Sequence, residues 1–169
     1  MTGGTITVSN TGAKFLNSKN AENKLKDIII SSGKGKAPLT FAIFADKDSE
    51  VTLENVKVTK AMNSVTANNK SEITILGGSF DATKAAISAY NGSRVTLTNN
   101  VQATSSHGTG LHATDSETTI EMMGGSVIKE KMALVAENGG HIKVTDVPTI
   151  GAGVNSANSM IEFIWQYND

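Results

Sequence analysis

Apolar residues along this chain alternate with polar ones at a spacing of two, as in Val51/Leu53, Ile73/Ile75, Val95/Leu97 and Ile142/Val144. That period describes extended strands with one face turned inward, and it does not fit the 3.6-residue spacing of an amphipathic helix. The segments carrying it share wording. SEVTL begins at Ser49, SEITI at Ser71 and SRVTL at Ser93, each start 22 residues after the last. With looser matches, the first apolar position reads Ile28, Val51, Ile73, Val95, Ile120 and Ile142, at intervals of 23, 22, 22, 25 and 22.

A second series lies between those strands. AIFAD, SVTAN, AISAY, GLHAT and ALVAE place Ile43, Val65, Ile87, Leu111 and Leu134 at intervals of 22, 22, 24 and 23, each followed two residues later by Ala. Two series with one period establish an internal repeat. The leucine-rich consensus is missing, and helical repeats need a longer unit. Short strands turned every few residues and repeated every 22 predict an all-β fold, a right-handed, single-stranded parallel β-helix of the pectin-lyase kind. One coil cannot bury its own apolar face; coils stacked about 4.8 Å apart can, and six or seven would make a rod on the order of 30 Å long.

The corners follow from the same pattern. After the first strand of each coil stand Asn55, Gly77-Gly78, Asn99-Asn100, Gly124-Gly125 and Asp146, residue types that accept a left-handed backbone at low cost. One corner of every coil is therefore expected to need a positive φ. The Gly-Gly pairs of ITILGGSF and IEMMGGSV belong to this corner; they lack the lysine and following helix of a phosphate-cradling loop. MTGGTITV aligns with the same corner, so Met1 is expected where Ile75 and Met122 stand, and the chain reads as a piece of a longer β-helix. One domain is expected: an irregular, Lys-rich first coil over 1–36, regular coils over 37–158 and a terminal strand or cap over 159–169. In that last segment Ile161, Phe163, Trp165 and Tyr167 alternate, either as a last strand packed on the final coil or as a seam into further sequence.

Composition narrows the chemistry. Fifteen basic and 16 acidic residues leave a net charge of −1, so no global field points to nucleic acid or membrane. Without Cys there are no disulfides, thiolate nucleophiles or Cys-based metal sites. No apolar run approaches the roughly 18 residues of a membrane span, and no signal-peptide pattern opens the chain.

β-Helices often act on acidic polysaccharides, and SSHGTG with His107 is the nearest approach to such a site. However, Asp81, Asp115, Glu117, Glu121 and Glu130 do not recur at one coil position, and the only Arg, Arg94, stands on the exposed side of a strand. General acid–base work needs partners within hydrogen-bond reach, and the spacing signals none. His107, His112 and His141 lack zinc-site spacing, and the calcium nonapeptide is absent; no metal or cofactor is expected. Asn69 and Asn91 fall in glycosylation-like triplets but read as corner residues. Lys24, Lys26, Lys34 and Lys36 form a cluster suited to an acidic receptor or a sulfated glycosaminoglycan, with a solvated loop as the plainer alternative.

Phrases such as ITILGGSF, GLHATDSETTIEMMGGSV and ALVAENGGHIKVTDV resemble the passenger domains of Bartonella autotransporters, nearest to their angiogenic factor group, over nearly the whole chain. The resemblance implies a β-helical passenger exported through an outer-membrane barrel and found secreted or on the bacterial surface. It further implies a non-enzymatic virulence factor, a ligand for the host vascular endothelial growth factor receptor that promotes angiogenesis. A surface adhesin or stalk, and less readily a polysaccharide lyase or hydrolase, are the alternatives. No family motif places receptor contacts on numbered residues here.

Overall fold

The structure, a computed structural model, describes residues 1–129, 132–146, 149–151 and 153–164. All pairing is parallel, and the sixteen strands among the described residues form one continuous sheet wound into a parallel β-helix. The coil at 50–71 displays the plan. Glu50–Ala67 runs extended through three faces, burying Val51 and Leu53 on the first, Val56 and Val58 on the second, and Val65 and Ala67 on the third.

Each face carries an inward ladder of seven strand-paired rungs among the described residues, with Met1 beyond the first rung of the first face. On the first, Leu25, Leu53, Ile75, Leu97, Met122, Val144 and Phe163 stack in register. On the third, Ala13, Ile43, Val65, Ile87, Leu111, Leu134 and Val154 do the same, and the Ala that follows two residues later pairs from Ala45 to Ala136. The second face holds a ladder that the repeat pattern did not reveal: Ile6, Ile30, Val58, Phe80, Ala103, Val127 and Ile150. Interior rungs are almost wholly buried, whereas the end rungs Met1, Val154 and Phe163 are exposed.

The positive-φ corner is present in every coil. Asp27, Asn55, Gly77, Asn99, Gly124 and Asp146 all occupy it, at φ between 49° and 74°, and the Asn55 amide donates to the Asp27 carboxylate one coil below at 2.8 Å. Asn69 and Asn91 sit in a left-handed corner too, between the third and first faces. Asn69 donates to Asp46 Oδ1 and Asn91 to Asn68 Oδ1, both at 2.8 Å. Met1, one residue before the Thr2–Lys26 pair, falls in the Leu25–Leu53–Ile75 row as expected.

One alignment needs correction. Ile28 does not precede Val51 in the ladder; it pairs with Gly4 and lies one coil below Val56. The partner of Val51 is Asn23, whose Nδ2 donates to the carbonyls of Ser18 and Glu50. A polar residue with its donors satisfied can hold that half-buried position, and the coil from Asn23 to Val51 is lengthened to 28 residues. The segment 1–36, expected to be irregular, contains three strands, Thr2–Val8, Thr11–Leu16 and Asn23–Ser32, separated by short loops. In the C-terminal segment, Met160–Ile164 pairs with His141–Thr145, placing Ile161 and Phe163 inward; Trp165 and Tyr167 lie outside the described residues.

The Ser of the repeated S-x-apolar-Thr-apolar phrase also has a physical cause. Ser49, Ser71 and Ser93 are fully buried. The Ser71 hydroxyl accepts the Ser49 amide at 3.2 Å and the Ser93 hydroxyl accepts the Ser71 amide at 3.1 Å. Thr118 serves Gly92 in the same manner at 2.9 Å. Each hydroxyl thus satisfies a corner N–H of the preceding coil. Removing it by Ser71→Ala strands the buried Ser49 amide, with an expected loss of about 1–3 kcal/mol, checked by urea unfolding. Ser71→Thr keeps the acceptor and is expected to lose less.

Candidate functional site

The outer surface of the coils carries the candidate chemistry, and the structure divides the lysine cluster in two. Lys24 and Lys26 stand on the outward side of Asn23–Ser32, where pairing with Glu50–Ala67 puts both one coil below Glu54. Glu54 accepts from Lys24 at 2.6 Å and from Lys26 at 2.5 Å. Lys24 also shares a shallow groove with Glu22, Glu50 and Glu72. Their charge is locally balanced. Lys34 and Lys36 instead lie in the exposed turn over 33–38, closed by a Lys36 amide bond to the Gly33 carbonyl at 3.0 Å. Among the described residues no carboxylate pairs with either.

The double pairing acts on titration. Hydrogen bonds from Lys24 and Lys26, ahead of their charges, hold the Glu54 carboxyl below its ordinary 4.5, and the bond to Glu54 raises Lys26 above 10.5. Because the folded Glu54 value is lowered, its contribution is present above pH 4.5 and is lost as pH falls through the folded value. The Lys26 contribution has the opposite window: present below 10.5, lost as pH rises through its raised folded value. Both groups are open to water, so the energies are small. Glu54→Gln is expected to flatten the acid side of a melting-temperature profile below about pH 4.5, while NMR titration places the wild-type carboxyl below an exposed Glu.

Three further charged pairs tie one coil to the next. Arg94 reaches Glu121 at 2.7 Å on the outside of the first face. His141 Nε2 lies 3.2 Å from Glu162. On the third face, the Ser88–His112 and Thr114–Glu137 pairings bring Tyr90, His112 and Glu137 together across three coils. His112 Nε2 is 2.8 Å from Glu137 Oε1, Nδ1 is 3.4 Å from the Tyr90 hydroxyl, and the two rings meet edge-on at 5.5 Å. An imidazole oriented by a carboxylate is the start of an acid–base constellation. Here both ring nitrogens face a partner, the Glu137 carboxylate on one side and the Tyr90 hydroxyl on the other. Sequence spacing did not signal this trio, because its members are one coil apart rather than neighbours in the chain.

His107 is exposed in the loop after Ser105, with Nδ1 2.8 Å from its neighbour Ser106. Asp115 is a corner residue whose Oδ2 accepts the Asn91 amide at 3.2 Å. Asp81 and Glu117 are exposed at separate places, and Glu130 lies outside the described residues. Among the described residues, none of Asp81, Asp115 and Glu117 forms an ion pair with His107. Among the described residues no group of three or more His, Asp or Glu is placed to hold a metal ion, and no helix is long and apolar enough to cross a membrane.

A second cluster was missed by the sequence reading. Phe41 and Phe44 stand half-buried on the outside of Leu39–Asp46, their ring centroids 5.0 Å apart and tilted by 54°. The strand pairing sets Thr11 beside Phe41 and Lys14 beside Phe44, and the Lys14 ammonium lies 5.6 Å from the Phe44 ring centroid. The sequence signal was AIFAD, where Phe44 occupies the outward position between the two buried residues Ile43 and Ala45. Compared with known proteins, the chain matches no protein-family model, no curated protein and no solved structure.

Proposed function

We propose that the protein is a secreted or surface-displayed binding module, a β-helix whose outer loops engage a host-cell receptor without catalysis. The observation that carries this reading is the exposed 33–38 turn, which presents Lys34 and Lys36 without a carboxylate partner, whereas Lys24 and Lys26 are both paired with Glu54 one coil away. A cationic turn on a rigid rod suits an acidic receptor surface, where charge speeds encounter and selects the partner. The resemblance to Bartonella autotransporter passengers directs the proposal to the vascular endothelial growth factor receptor and an angiogenic outcome. The Cys-free composition is compatible with export through a barrel.

The test is binding of the protein to soluble growth-factor-receptor ectodomains, with the Lys34→Glu/Lys36→Glu variant beside it. The double variant is expected to weaken binding by about tenfold, chiefly through slower association and with reduced salt sensitivity. Failure of the wild type to bind such an ectodomain would leave the adhesin or stalk reading. Turnover of pectin-like or glycosaminoglycan chains that disappears on changing His107 or Asp115 would move the assignment to an enzyme.

A further inference from the structure

The Phe41–Phe44 pair is out of place in a stacking account of the fold. Phe80 and Phe15 pack in or against the core, but Phe41 and Phe44 do not belong to it. They line a shallow groove on the outside of the third face with Asn10, Thr11, Lys14 and Thr40. Its character is mixed in a specific way. Two aromatic faces offer an apolar floor, the Asn10 and Thr40 side chains supply hydrogen-bonding edges, already linked to each other at 2.8 Å, and Lys14 is the single charge. No carboxylate is among the lining residues. The exposed turn with Lys34 and Lys36 ends just before Leu39, so two further cations precede the groove in the chain.

We propose that this groove binds an acidic saccharide. Sugar rings have apolar C–H faces that rest on aromatic rings, and hydroxyl edges that exchange hydrogen bonds with amides and hydroxyls. A carboxylate or sulfate on the ring complements Lys14, whose ammonium the Phe44 ring holds in place. A neutral sugar or an apolar peptide would leave the Lys14 cation without an anionic partner. Charge complementarity therefore selects the acidic class. The site stands apart from the receptor reading, which rests on the 33–38 turn and a protein partner.

Titration calorimetry with three hexasaccharides tests the proposal: heparin-derived (sulfate and uronate), hyaluronan (uronate alone) and maltohexaose (neutral). At least one acidic chain is expected to bind ten or more times tighter than maltohexaose, on the order of 1.4 kcal/mol, and the two acidic arms separate sulfate from carboxylate recognition. Phe44→Ala and Lys14→Gln are each expected to weaken that binding about fivefold or more, with circular dichroism and melting confirming that the variants fold. If Phe44→Ala fails to fold, Phe44→Leu, which keeps bulk but removes the ring, takes its place with the same expected loss. Equal binding of the neutral chain would overturn the proposal, as would binding that depends on Lys34 and Lys36 but is indifferent to Phe44 and Lys14. Absence of binding by all three chains would overturn it as well, whatever the receptor assay shows.

Discussion

Replacing Phe80 with alanine is expected to remove about 3–5 kcal/mol of stability, by the usual cost of truncating a buried aromatic ring. Phe80 is the largest fully buried side chain of the second-face ladder, between Val58 below and Ala103 above. The ring compensates in volume for the small Ala103 of the next coil, so its removal leaves two small residues adjacent and a void that neither can fill. For a chain of this length the loss corresponds to a fall of about 10 °C in melting temperature, measurable by calorimetry. The double variant Phe80→Ala/Ala103→Phe exchanges the two rungs and is expected to recover part of the loss. A loss below about 1 kcal/mol would mean that the coils close over the space, against the close packing expected of the ladder.

The Gly-Gly corner supplies the second large effect, and its two glycines are not equivalent. Gly77 takes φ +74°, the same left-handed corner held by Asn55 and Asn99 in neighbouring coils. Gly77→Asn is therefore expected to change stability by no more than about 1 kcal/mol. Gly78 takes φ +113°, and a Cβ there would run into the carbonyl of Val56 in the coil below. Backbone cannot step aside as a flexible side chain can. Gly78→Ala is expected to cost about 3 kcal/mol or more, strain and clash together. Denaturant unfolding of the two variants makes the contrast. Similar losses would show that the second glycine has no separate role.

That distinction also shows how far the sequence reached. The repeat, the strand type, the corner with positive φ and two of the three ladders follow from period-two apolar spacing and from Asn/Gly at fixed offsets. The second-face ladder stayed hidden for two reasons. Its rungs vary from Phe80 to Ala103, and the corner before it gains a residue in some coils, as Asn100 does after Asn99. Five residues separate Ile75 from Phe80, but six separate Leu97 from Ala103. The Ile28 misalignment arose similarly, because the true partner of Val51 is a polar Asn. Candidate sites were less legible still. Lys24 and Lys26 look like a binding cluster until Glu54, 28 residues after Lys26, is seen to sit above both. In a stack, the neighbours that decide a side chain's charge are one coil away, at distances along the chain that no short motif spans.

The buried serine hydroxyls have a kinetic consequence. The amide of Ser49 is satisfied by Ser71 and that of Ser71 by Ser93, so each coil's corner is completed by a group from the coil that follows it. A chain assembling from its N-terminal side would at every step present a last coil with an open amide and an unpaired strand edge. The docking of the next coil closes both at once. On that path the newest coil is the least stable until its successor arrives, and addition of the successor locks it. Because each pairing joins strands only about one coil apart in sequence, loop closure costs little at each addition. The expected behaviour is a zipper that advances rung by rung, with Ser71→Ala slowing the step at which its coil is sealed.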